Sequence, residues 1–225
     1  MSGLDEFYPD LSTTDTKKKL TVGVNIVNYL KDENNPLDCE DIGGFIDGLV
    51  PWMQSSNFKV RSGVNLLPPG EIFRLYVLQV SQNGLDIVGF LIDRLAAEFK
   101  PYLNTILNSV LDRLGDTRQE VRDKANIVLC KLMDATVQPQ QLFEKITSAF
   151  SHKNSRVRVE VLLLLQNTLN AHGAGQLTVS KLIPHILTST SDPQSAVRDA
   201  AVETLVEIYR LVAIKSLRLC SSSLH

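Results

Sequence analysis

The chain has little of what most enzyme chemistry needs. Three cysteines stand at positions 39, 130 and 220, an odd number with no metal or redox spacing, which points to a reducing compartment. Cys130 lies inside an apolar helical pattern and reads as a small core residue. The four histidines, His152, His172, His185 and His225, show no ligand spacing. There is no glycine-rich phosphate loop, nucleophile elbow or zinc pattern, so neither catalysis nor a bound cofactor or metal is expected. No run approaches the ~18 apolar residues of a membrane span, and no basic-apolar-small leader opens the sequence. Net charge is only −2, so no generalised attraction to nucleic acid or to an anionic membrane is expected. A whole-chain sum still hides a one-sided distribution.

What the chain does have is helical periodicity. Residues 16–31 read as a helix with Leu20, Val24, Val27 and Leu30 inward, capped by Asp15 or Thr16. Lys17, Lys18 and Lys19 sit in its first turn, against the helix dipole. Residues 41–54 give a second helix with Ile42, Phe45, Leu49 and Met53 inward, and Trp52 is expected between helices. From residue 81 helical stripes follow one another, among them Leu103, Ile106, Val110 and Leu114, then Val121, Ala125, Val128, Leu132 and Met133. Later stripes are Val157, Val161, Leu165 and Leu169; Leu182, Ile186 and Leu187; and Val197, Ala201, Leu205 and Ile208. The polar residues 1–14 are expected to fray.

The turns between these helices repeat. Asp116 to Val121-Arg122, His152 to Val157-Arg158 and Asp192 to Val197-Arg198 share one internal spacing. The repeat interval is close to the ~40 residues of helical-hairpin repeats. A lone hairpin cannot bury its stripe, so such units stack into a solenoid and their tight turns fall on one edge. Arg118, Arg122, Lys153, Arg156, Arg158 and Arg198 are thereby predicted to share a ridge. Arg122, Arg158 and Arg198 hold equivalent positions and also suit a structural ladder with the turn aspartates. Arg118, Lys153, Asn154, Arg156 and Gln194 hold more variable positions and suit a partner better.

LDRLGDTRQEVRDKA, FSHKNSRVRVE and SDPQSAVRDAAVETLVEIYR resemble the HEAT repeats of a TOG domain, most nearly the N-terminal TOG domain of the CLASP (cytoplasmic linker-associated protein) family. The residues Ile46 to Leu49, Trp52 and 55–59, together with LTVSKLIP at 177–184, support this resemblance, which covers about 16–59 and 80–212. It implies an all-α fold, an α-solenoid of HEAT repeats forming a TOG paddle, with about five repeats and the sixth missing or altered. It also implies a non-enzymatic regulator of microtubule dynamics, in the cytoplasm on microtubules, spindle and kinetochore. The implied partner is tubulin or the microtubule, with other cytoskeletal or kinetochore proteins possible. By position, the implied tubulin contacts are Lys17 and Lys18 in the first turn and Phe58 and Lys59 in the second. Arg118 and Arg122 follow in the third turn, Lys153, Asn154, Arg156 and Arg158 in the fourth, and Gln194 and Arg198 in the fifth. Tubulin is strongly acidic, which suits a basic ridge. Family members often present a tryptophan in the first turn. The lysines here weaken the expectation of tight binding to free curved tubulin and leave lattice binding, or a role within an array, standing. The alternative is a HEAT adaptor that binds a protein or peptide through its helical face.

Two stretches depart from this pattern. Residues 60–79 fit no neighbouring repeat: Pro68-Pro69-Gly70 stops any helix, and 71–80 is apolar and rich in strand formers. Removing 60–79 joins Lys59 to Val80 and puts Val80 in the Val121 position. Val60-Arg61 is encodable as GTA-AGA and Gln79 as CAG, the ends of an intron read in frame. The segment is therefore expected to be a foreign insert, a retained intron or else a genuine insertion at a turn, forming a poorly packed protrusion in a domain spanning 15–212. Residues 213–225 match nothing in the family pattern, and the apolar face of the last helix pair is expected to be exposed.

Overall fold

The computed structural model describes residues 3–54 and 69–222, with the backbone alone at 69–77, 174, 212 and 214–222. Among the described residues all regular structure is helical: α1 Tyr8–Leu11, α2 Thr16–Lys31, α3 Ile42–Met53, α4 Pro69–Leu95, α5 Leu103–Arg113, α6 Gln119–Ala135, α7 Pro139–Ile146, α8 Ser155–His172, α9 Val179–Ser189 and α10 Ser195–Ser222. The chain forms two compact units, Met1–Thr136 and Val137–His225.

In the first unit α1, α3 and α5 alternate with α2, α4 and α6. Helix α4 packs between α2 and α6, and α3 packs on α4 and α5. The ion pairs Lys124–Asp86 and Lys131–Asp93 join α6 to α4 with a constant offset, so the two helices run in the same sense. In the second unit α8 packs on α10, and α10 packs on α9. Each unit is thus built of helical hairpins of the HEAT type. The stripes of α5, α6 and α8 read from the sequence are buried as expected.

Other expectations fail for identifiable reasons. The N-terminal stretch expected to fray carries a short 3-10 turn and α1, because Leu4 and Leu11 are buried. Leu4 N–H donates to Asp38 O at 2.9 Å, the Asp5 carboxylate accepts from Glu40 N–H, and Trp52 Nε1 donates to Leu11 O at 3.0 Å. Trp52 is itself fully buried, as expected. In α2 the buried stripe is Val22, Ile26 and Leu30, while Val24 is exposed. Gly23 explains the rotation: a Cβ there would lie 2.7 Å from Asn83 Nδ2 of α4 and 3.1 Å from Trp52, so α4 sits directly on that face. In α9, Leu187 is exposed although Leu182 and Ile186 are buried.

The stretch 71–80, rich in strand formers, is helix. Pro69 opens α4, where proline's fixed φ and missing N–H are tolerated. Residues 60–68 of the expected insert lie outside the described residues. On α10, Val202, Val206 and Tyr209 form an exposed apolar stripe at helical spacing, in line with an exposed face on the last helix pair.

Because Gly23 sits under α4 without room for a side chain, Gly23→Val is expected to cost ~1–3 kcal/mol through overpacking. Urea denaturation of both proteins measures it, and unchanged stability would show that the α2–α4 contact is loose.

Candidate functional site

The four described turns between paired helices share one construction. The side chain of the first turn residue accepts the backbone N–H two residues on. Thr13 Oγ1 accepts from Asp15 at 3.3 Å, Asp116 Oδ1 from Arg118 at 3.0 Å, His152 Nδ1 from Asn154 at 3.1 Å, and Asp192 Oδ1 from Gln194 at 2.9 Å. A hydroxyl, two carboxylates and an imidazole thus do the same job, satisfying a donor that the turn would otherwise leave unpaired. Asp15 and Asn154 then cap their helices through the N–H groups of Lys17 (2.8 Å) and Arg156 (3.0 Å).

The arginine six residues after each of the last three turn starts closes the turn from the other side. Arg122 Nη1 donates to Asp116 O at 2.9 Å, Arg158 Nη1 to His152 O at 2.6 Å, and Arg198 Nη1 to Asp192 O at 2.8 Å. These three residues were candidates both for a ladder and for a partner. Their guanidiniums are half-buried and engaged with their own turns. In the second unit Arg158 also reaches the next turn, with Nε 2.7 Å and Nη2 2.8 Å from the Asp192 carboxylate. This is the expected Arg–Asp pairing between adjacent repeats. Lys19 holds the corresponding place in the first turn. Its ammonium lies 5.8 Å from the Trp52 ring centroid, and burial lowers its pKa.

Around Asp116 two guanidiniums converge on one carboxylate and a third takes its backbone carbonyl. Arg113 Nη1 is 3.5 Å from Oδ2 and Arg118 Nε is 3.2 Å from Oδ1, while Arg122 holds the carbonyl. The Asp116 side chain is 4% exposed and that of Arg118 is 31% exposed. The carboxylate is therefore sealed below and the third turn shows its arginine outward. Burial alone would raise the Asp116 pKa. The Arg118 hydrogen bonds and the Arg118 and Arg113 charges outweigh it, and the carboxyl sits below its ordinary value. The Asp192 carboxyl is also lowered, chiefly by the Arg158 hydrogen bond.

The remaining candidates divide cleanly. Lys17, Lys153, Arg156 and Gln194 are exposed, and Asn154 is half-buried because its side chain caps α8. Lys18 is exposed but paired with Asp10 of α1 at 2.6 Å. Phe58 and Lys59, with the whole second turn, lie outside the described residues. In the first unit the first and third turns sit at the starts of α2 and α6. In the second unit the fourth and fifth turns adjoin through Arg158–Asp192. Sequence spacing identified the arginine positions but missed Lys19 on Trp52 and the role of Thr13, because neither belongs to the Asp/Val-Arg pattern.

The chemistry available here is recognition by charge. Among the described residues no group of His, Cys, Asp or Glu could hold a metal ion, and no helix is long and apolar enough to cross a membrane. The Cys39 thiol is pushed up to about 11 by burial and by Asp5, and burial raises Cys130 as well, so both stay protonated at neutral pH.

Comparison with known proteins places this geometry among relatives. The profile described as CLASP N terminal matches residues 77–225. A CLIP-associating protein 1-B of Xenopus laevis is 39% identical over 215 residues, and the CLIP-associating protein of Drosophila melanogaster is 38% identical over 213. These alignments cover 93% and 94% of this chain and 13% of each relative. The solved MAST/Orbit N-terminal domain superposes with a TM-score of 0.80 at 37% identity, covering 94% of this chain and 85% of that one. A crescerin TOG domain, from an array described as regulating microtubules in the primary cilium, shares the fold with a TM-score of 0.70 at 20% identity, covering 92% and 76%. The chain spans about 13% of the length of the CLIP-associating proteins it matches.

Both lowered carboxyls make a pH prediction. A folded-state pKa below the unfolded value (about 3.9 for aspartate) gives stability that is fully present above that value and is lost as pH falls through the folded pKa. Denaturation midpoints should therefore drop below about pH 4, and Asp192→Asn should flatten that drop while lowering stability at neutral pH. An acid limb that is identical in the variant would remove Asp192 from the account.

Proposed function

The chain belongs to the CLASP N-terminal family, and we propose on that footing that it is a TOG domain of a CLASP-like regulator of microtubule dynamics, contacting tubulin through its basic interhelical turns. Its partner is tubulin, free or in the microtubule, and its place is on microtubules, including spindle and kinetochore populations. Other cytoskeletal or kinetochore proteins are candidate further partners. The domain runs over 15–212, interrupted by 60–79 and followed by 213–225.

The observation that carries the reading is the division of labour within each turn. The inner arginines Arg122, Arg158 and Arg198 close the turns, the outer residues Lys17, Lys153, Arg156 and Gln194 are left at the surface, and Arg118, half-buried on Asp116, stands partly outward. Lys18 adds charge beside Lys17 once its exposed pair with Asp10 opens, at little cost because such pairs contribute little. Within each unit, cations on hydrogen-bonded turns are preorganised for an acidic surface, so little ordering entropy opposes binding. Asn154 contributes by holding Arg156 in place, and Phe58 and Lys59 complete the set at the second turn.

Lys153→Glu with Arg156→Glu reverses two exposed charges without touching the turn bonds. Microtubule co-sedimentation should weaken by roughly tenfold or more, equivalent to ~1.4 kcal/mol, and the wild-type interaction should fade as salt rises. Undiminished binding by a folded double variant would favour an adaptor that works through the helical face.

A further inference from the structure

Helix α4 is out of proportion to its neighbours. Val80, Val121, Val157 and Val197 are all buried, and the last three are each the third residue of their helix. By that register α4 should start at residue 78. Ser81, in the place of Arg122, Arg158 and Arg198, is buried and donates to Met53 O at 3.0 Å. Ile87, Val88 and Leu91 then bury in the places of Val128, Leu129 and Leu132. Yet α4 starts at Pro69. The helical residues 69–77 add ~13 Å of rod at ~1.5 Å per residue.

The direction of that rod follows from the packing. Helices α4 and α6 run in the same sense, as the Lys124–Asp86 and Lys131–Asp93 pairs require. Helix α2 runs the same way. Gly23 faces Asn83 near the middle of α2, and Arg94, at the end of α4, donates to Glu33 O and Asn35 O just past the end of α2. The starts of α2 and α6 carry the first and third turns. Helix α4 lies between them and overshoots both.

We infer that this overshoot is an autoinhibitory projection: residues 69–77 stand between the first and third turns and keep a broad acidic protein surface from engaging Lys17 and Arg118 together. The inference rests on the tubulin reading and adds a regulation to it. Removal of 60–79 joins Lys59 to Val80, ends the overshoot and leaves the buried register of α4 untouched. A chain made without this segment is the active form, and one carrying it is attenuated.

The test compares three full chains in co-sedimentation with microtubules, each checked for folding by its thermal melt. They are the chain as given, the chain lacking 60–79, and Leu78→Pro. Proline at 78 is compatible with the first turn of a helix starting there and breaks the helix upstream. It therefore uncouples 69–77 while sparing the buried stripe from Val80 onward. The expected result is tighter binding by the deletion chain, with Leu78→Pro between it and the chain as given. Equal or weaker binding by a folded deletion chain overturns the projection and makes the overshoot inert or a contact in its own right. Absence of binding by all three chains overturns the tubulin reading, and the projection with it.

Discussion

The constraint on which the rest depends is the demand of a tight interhelical turn for a hydrogen-bond partner on each side. An N–H at the start of a helix has no partner within that helix. Here a side chain two residues earlier accepts from it, and in three turns an arginine from the following helix takes the carbonyl of that same earlier residue. The turn is held from both sides. Helix direction at each hairpin follows from it, and with helix direction the burial of Val121, Val157 and Val197. That Thr13, Asp116, His152 and Asp192 all serve shows that the requirement is for an acceptor at a given distance, not for one residue type.

This arrangement also decides what the positive charges do. An arginine that closes a turn is partly desolvated and geometrically fixed, so it shapes the surface more than it contacts a partner. The exposed Lys17, Lys153 and Arg156 stay in water. Arg158 joins the two roles in the second unit, because its bidentate pair with Asp192 fixes one turn against the next. The same logic makes the overshoot of α4 consequential. In the regulation we propose, a helix that begins early alters access to the helix starts beside it.

Much of this was legible in the chain. The Val-Arg register gave the repeat, the repeat gave the hairpins, and the hairpins gave the candidate turns. Where reading failed, two solutions were equally good locally. Leu20, Val24 and Val27 make as fair a stripe as Val22, Ile26 and Leu30. Only the close approach of α4 at Gly23 selects the second. Residues 71–80 are strand formers by composition, but they continue a helix already seeded by the buried register at Val80 and closed at its start by Pro69. The N-terminal residues read as polar, and the partners that order Leu4 and Leu11, Asp38, Gly48 and Trp52, are distant in sequence.

The sequence by itself determined the helical class, the hairpin period and the positions of the turns, because these depend on spacing along one chain. Tertiary structure alone decided which face of α2 is buried, that Lys19 lies over Trp52, and that Arg122, Arg158 and Arg198 point into their own turns. Those outcomes depend on where a guanidinium, a ring or a missing Cβ meets a neighbour brought close only by folding. Spacing states that a cation is near a turn; packing states whether it faces the carbonyl or the solvent.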